Sequence, residues 1–260
     1  MGSPEKTGTV NMIPTARKLG RIMGRLQCKT ADYSNHTLMS MLLVAALFSV
    51  ATASLEAQAP VPVGEEPQHH VVFQNEYVRV IDAVLPPGYV SLFHTHSADN
   101  VPVTISGGKI RAELPGGQPM DSEAVAGRVS FAKASYTHRI SNIGATTVRF
   151  IDVEILAAPP GAAASSGGDE LPGRKLESEN ARVRIYRLTL APGESTGSRT
   201  HALGWLEVTV RGGRITRSLE PDRETIELRP GDFRWHPPGT AHTSTNAGQS
   251  TYEAIEIEWK

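Results

Sequence analysis

The sequence predicts an all-β protein of two tandem domains behind a separate N-terminal segment. Three observations predict it. Valine-rich runs are cut by Pro-Gly and Gly-Gly pairs in a chain of 260 residues with 24 Gly and 18 Pro, the punctuation of many short strands. Apolar and polar residues alternate with period two, as at Val78-Arg79-Val80 and Ile255-Glu256-Ile257-Glu258, so one face of each strand is buried. The third observation is an internal repeat that organises everything after the first 70 residues.

The N-terminal segment comes first in the chain and differs from the rest. Residues 1–59 hold six of the 26 basic and three of the 27 acidic residues, leaving the remainder mildly acidic; the whole chain carries a formal charge of -1. No basic field for nucleic acid is present. Met41–Val50 is an apolar run too short to span a bilayer, followed by small residues that end in Ala57-Gln58-Ala59. That pattern reads as a secretory signal with cleavage after Ala59, and so as a secreted or periplasmic protein without a stable membrane span. An uncleaved anchor and a buried apolar segment are the other readings. The basic residues Arg17, Lys18, Arg21, Arg25 and Lys29 lie well upstream, which fits a long n-region or a translation start at an internal Met such as Met39. The single cysteine, Cys28, lies in this segment, so the β-rich body has neither an intrachain disulfide nor a thiolate ligand or nucleophile.

The repeat aligns residues 75–155 with 180–259. Asn75 falls on Asn180, Val78 on Val183, Leu85 on Leu190, Gly88 on Gly193, His96 on His201 and Ile110 on Ile215; after one deletion Gly127 falls on Gly231, His138 on His242, Asn142 on Asn246 and Glu154 on Glu258. Ala157–Gly173 between the copies contains Pro159-Pro160-Gly161 and Ser165-Ser166-Gly167-Gly168, a composition for an exposed linker. The expected domains are therefore 60–157 and 174–260, joined by a linker at 158–173.

Within the first copy, Gly88 is followed by His94-Thr95-His96, then Asn100, then Gly107; a second element runs from Gly127 through Lys133, Ser135 and His138 to Asn142. These spacings resemble the two signatures of the cupin superfamily, G-x5-H-x-H-x3-E-x6-G and G-x5-P-x-G-x2-H-x3-N. The second copy has the latter complete, with Gly231, Pro237, Gly239, His242 and Asn246. The resemblance covers residues 71–259 and implies a bicupin: two double-stranded β-helix (jelly-roll) barrels in one chain.

Residues i and i+2 of a strand point to one face, so His94 and His96 can present two imidazoles to one barrel interior. An H-x-H alone also reads as two surface histidines; His138 at the family's position favours a metal. Three neutral imidazoles suit iron, zinc, nickel, manganese or copper and leave coordination positions open. Asn100 replaces the family's metal-binding Glu and is expected as a weak fourth ligand or as a residue that orients bound water, with Asp99 facing away. Lys133 and Ser135 replace the Pro and Gly of the second signature, which alters a turn rather than a ligand.

In the second copy Arg199 stands at the position of His94 and Trp205 at that of Asn100, leaving His201 and His242. A guanidinium does not ligate a metal, so this barrel is expected to be metal-free. Arg199, His201 and His242 form a candidate second pocket, with Arg199 either binding a carboxylate or pairing with an acidic neighbour such as Glu207. Trp205 is expected in the core, His236 in a solvated turn, and His69-His70 ahead of the first strand with no partner that the sequence names.

The fold hosts many functions. The resemblance implies a metal-dependent enzyme, dioxygenase-like, acting on a small organic molecule in the first barrel; a non-catalytic small-ligand-binding protein and a structural bicupin with relic histidines are the alternatives.

Overall fold

The computed structural model describes residues 59–159, 172–219, 222–239 and 241–260. The export segment, Cys28 and most of the linker therefore lie outside the described residues. No helix among those described is long and apolar enough to cross a membrane.

The first barrel is built from β1 (Val61–Pro62), β2 (His69–Gln74), β3 (Val78–Leu85), β4 (His94–His96), β5 (Asp99–Ser106), β6 (Gly108–Glu113), β7 (Met120–Ala124), β8 (Tyr136–Asn142) and β9 (Val148–Ile155), with one 3-10 turn at Val63–Glu65. They form two sheets, in the orders β1-β4-β8-β6-β7 and β2-β3-β9-β5. The second barrel repeats the plan with β10 (Arg174–Glu179), β11 (Val183–Leu190), β12 (Arg199–Thr200), β13 (Trp205–Arg211), β14 (Gly213–Leu219), β15 (Asp222–Leu228), β16 (Phe233–His236), β17 (Ala241–Asn246) and β18 (Tyr252–Trp259). Its sheets run β12-β17-β14-β15 and β10-β11-β18-β13-β16. The all-β, tandem jelly-roll expectation holds. One correction falls at the start: His69 begins β2 rather than preceding the strands.

The repeated residues do the same work in both barrels. Asn75 Oδ1 accepts hydrogen bonds from the N–H groups of Tyr77 (2.8 Å) and Val78 (2.9 Å), and Asn180 Oδ1 does so from Arg182 (2.7 Å) and Val183 (3.0 Å). Each side chain thereby fixes the turn into the following strand. Asn142 Nδ2 donates to the carbonyls of Leu85 and Thr146, as Asn246 Nδ2 does to Leu190 and Ser250. Gly127 and Gly231 sit at φ 81° and 91°, a region that disfavours any side chain.

The core does not stop at the barrel boundary. Val101, Val103 and Val153 of the first barrel form one buried cluster with Leu206, Val208 and Ile257 of the second. Two of the polar crossings are near-symmetric: Arg149, paired with Asp82, donates to the carbonyl of Pro230 (3.0 Å), and Arg187, paired with Glu177 and Glu253, donates to the carbonyl of Gly127 (2.8 Å). The pairs are charge-reversed copies, since Asp82 aligns with Arg187 and Arg149 with Glu253.

Candidate metal centre

Strand β4 is short, and both of its histidines point inward: His94 is 0% and His96 2% exposed. Thr95, between them, faces outward and hydrogen-bonds Thr137 through the two hydroxyls (2.8 Å). The antiparallel register sets His94 opposite His138 and His96 opposite Tyr136, so the pleat that turns two histidines inward turns the third in beside them. Ring centroids lie 4.5 Å apart for His94 and His138 and 5.3 Å apart for each of the other two pairs. One ligand nitrogen from each ring lies within 4.8 Å of the other two; no other group of three His, Cys, Asp or Glu among the described residues meets that condition.

The surroundings keep the rings neutral. Burial, reinforced by neighbouring histidines, pushes His94 down to about 4, His138 to about 3 and His96 to about 2. Neutral imidazole is the form that ligates. His94 donates Nδ1–H to the carbonyl of Leu92 (3.0 Å), which leaves Nε2 buried without a protein partner. His96 sets Nδ1 3.4 Å from Asp152 and 3.8 Å from Glu154, two buried carboxylates behind the ring. Burial, with Glu154 adding to it, raises the Asp152 carboxyl to about 6 against the lowering by its bond from Asn100. Carbonyl or carboxylate groups behind ligating imidazoles fix ring orientation in metal sites. An orphaned buried nitrogen, three neutral rings and the oriented Nδ1 of His94 fit a divalent transition metal.

Asn100 is close by, but its amide has other partners: Nδ2 donates to Asp152 (2.7 Å) and Oδ1 accepts from the Tyr136 hydroxyl (3.1 Å). Asp99 faces the other way, accepting from the N–H of Ala134 (2.8 Å) and pairing with Arg182 (3.3 Å). His96, His138, His69, Asn100, Tyr136 and Asp152 form the polar side of a cavity of about 230 Å³; Ala83, Pro102, Ile110, Ala112, Ile140 and Phe150 form its apolar wall. No Lys or Arg lines it.

Three participants escaped the sequence reading. Tyr136 stacks on His96 at 4.7 Å and 13°. His69 is buried, its ring 4.5 Å from that of His94. Glu66 pairs with His69. Period two could have flagged Tyr136, two residues before His138; nothing local marks the other two.

The second barrel is filled where the first is open. Trp205, fully buried, lies between His201 (4.4 Å) and His236 (3.9 Å, 5° between planes), with His242 at 5.0 Å. His236 is therefore not a solvated turn residue: it ends β16, is 3% exposed and stacks on an indole. His201 bonds Glu258 (3.1 Å). Arg199 pairs with His242 in backbone register, while its side chain lies outside the described residues. Glu207, expected as an acidic partner for Arg199, is held by Arg217 and by the Tyr252 hydroxyl (2.6 Å).

The geometry defines a two-barrel protein with one centre of metal-ligating character. No family model and no curated protein matches the sequence. Among solved structures, AerE from Microcystis aeruginosa is similar with a TM-score of 0.57 at 15% identity, over 72% of this chain and 90% of AerE. An oxalate decarboxylase structure is similar with a TM-score of 0.51 at 13% identity, over 71% of this chain and 69% of that one. A cupin 2 conserved barrel domain protein from Leptotrichia buccalis matches at 12% identity with a TM-score of 0.48, over 72% and 86%. The likeness to the first two of these structures bears out the tandem-barrel fold.

Proposed function

We propose that this chain is an exported, metal-binding bicupin whose first barrel binds a small organic molecule and acts on it as a dioxygenase-like oxidoreductase. The observation that carries this reading is the convergence of three neutral imidazoles, from His94, His96 and His138, the last two lining a cavity of about 230 Å³. A divalent transition metal, of iron, zinc, nickel, manganese or copper, supplies Lewis acidity and open coordination positions when bound there. The chain's own part is to hold three nitrogens in place: Leu92 orients His94, Asp152 and Glu154 stand behind His96, and Tyr136 stacks against it. The apolar wall excludes water from the bound molecule. Neither Lys nor Arg lines the cavity, so the bound cation is the group there that would pair with an anionic group of the substrate.

Asn100 favours a second reading, a ligand-binding protein without turnover, since a neutral amide occupies the position of the family's carboxylate ligand. The experiment is elemental analysis of the untagged mature chain, followed by oxygen-uptake screening with small organic substrates. One metal per chain with uptake supports the enzyme. Ligand binding with no uptake supports the binding protein, and no metal defeats the enzyme.

A further inference from the structure

Glu66, His69 and Tyr89 lie outside the three-histidine cluster and form a network of their own. Glu66 is 2% exposed. Its carboxylate accepts from the Tyr89 hydroxyl (2.5 Å) and from the N–H groups of Gln68 (2.8 Å) and Leu92 (3.4 Å), and it pairs with Nδ1 of His69. Burial alone would raise this carboxyl, but the bonds from His69, Tyr89 and Gln68 hold it at about 2. An ionised carboxylate only accepts. His69 therefore holds a hydrogen on Nδ1, toward Glu66, and Nε2 is the ring nitrogen outside that pair.

His69 lines the same cavity as His96 and His138, so Nε2 is the polar atom its ring has to offer there. The second barrel lacks this arrangement. Arg174 stands at the aligned position, donates to Glu256 (2.6 Å) and covers the Tyr186 ring (3.4 Å to the centroid).

We infer that His69, oriented by Glu66, is a substrate-binding residue whose Nε2 pairs with a hydroxyl of the molecule held in the first barrel. The inference rests on the reading of that barrel as the ligand-binding one, and it narrows the substrate class to small hydroxy compounds with an apolar body. The cavity of about 230 Å³ exceeds the roughly 150 Å³ that takes benzene in a protein interior. A ligand that displaces water from this nitrogen but lacks the hydroxyl leaves it unpaired, and is discriminated against for that reason.

The test is calorimetric titration of the full chain, stripped of metal by chelation, with phenol and with toluene. Phenol is expected to bind about tenfold more tightly than toluene. His69→Phe, which keeps a ring and removes both ring nitrogens, should abolish that preference while toluene binding stays within about twofold, and His69→Gln should restore part of it. His69→Phe also leaves the buried Glu66 short of a donor, so a second measurement uses the unaltered chain. Long-range proton–nitrogen NMR should show a hydrogen on Nδ1 of His69, and the Nε2 resonance should shift when phenol is added. A phenol preference that survives His69→Phe, or an Nε2 resonance that phenol does not move, overturns the inference and leaves the metal-centre reading intact. Failure of both probes to bind overturns the inference together with the ligand-binding reading of the barrel.

Discussion

Barrel 1 gathers His94, His96 and His138 beside a cavity that the last two line, whereas barrel 2 drives the indole of Trp205 among His201, His236 and His242. Apart from β1 in barrel 1 and β16 in barrel 2, the backbone plans match down to the asparagine-fixed turns, so much of the difference lies in a few inward positions. Asn100, the counterpart of Trp205, is short enough to be held against Asp152 and leaves the interior open. Pro102, Ala112 and Val148 in barrel 1 become Glu207, Arg217 and Tyr252 in barrel 2, a buried charged network. Close-packed interiors have no spare volume, so a residue the size of tryptophan converts a site into core. The comparison teaches that a jelly-roll barrel is a holder whose contents are set independently of its strands.

The sharpest way to break this contrast is to titrate metal. His94→Ala combined with His96→Ala should lower zinc or cobalt affinity about a thousandfold or more, roughly 4 kcal/mol, by calorimetry on the chelated chain. His201→Ala and His242→Ala should leave one site per chain at unchanged affinity. Loss of metal from a barrel 2 variant would show that the second barrel is not inert.

Trp205→Ala comes next in size. Emptying the centre of barrel 2 should cost about 3–5 kcal/mol in urea unfolding, while Asn100→Ala, beside an existing cavity, should cost less. Asn142→Ala and Asn246→Ala test the shared frame instead of the contents. Each strips two carbonyls and one N–H of their partner, and each should cost roughly 2–3 kcal/mol. A gap of more than about 1 kcal/mol between the two would mean that the frames are not equivalent.

The smallest effect is pH-dependent and belongs to barrel 2. Burial pushes His236 down to about 3, whereas an imidazole in the unfolded chain titrates near 6.5. The unfolded state takes the proton first. Stability from this group is thus complete above about pH 6.5 and is lost as pH falls toward 3, by at most about 1.4 kcal/mol per unit. In metal-free protein, His236→Phe should gain about 2 kcal/mol on the parent between pH 7.5 and pH 5; an unchanged difference would place His236 in water.

Much of this was legible from residue order. Period two and the aligned glycines and asparagines carry the strands and the repeat because turn chemistry is local. The H-x-H spacing reveals two inward histidines because alternation on a strand is obligatory. His69 and Glu66 were not legible: one meets His94 through ring packing, the other meets Tyr89 and Leu92, and neither spacing carries a signal. His236 looked solvated because Pro237-Pro238 follows it, yet the register that sets it opposite Trp205 decides its burial.

By itself, then, the sequence determined two β-barrels of common plan and one set of three histidines, since these follow from alternation and repetition along the chain. Only the tertiary structure decided that Asn100 belongs to Tyr136 and Asp152, that Trp205 fills the second interior, and that a Glu66–His69 pair faces the first. Those outcomes depend on which side chains meet across sheets, and that is fixed by register and available volume rather than by distance along the sequence.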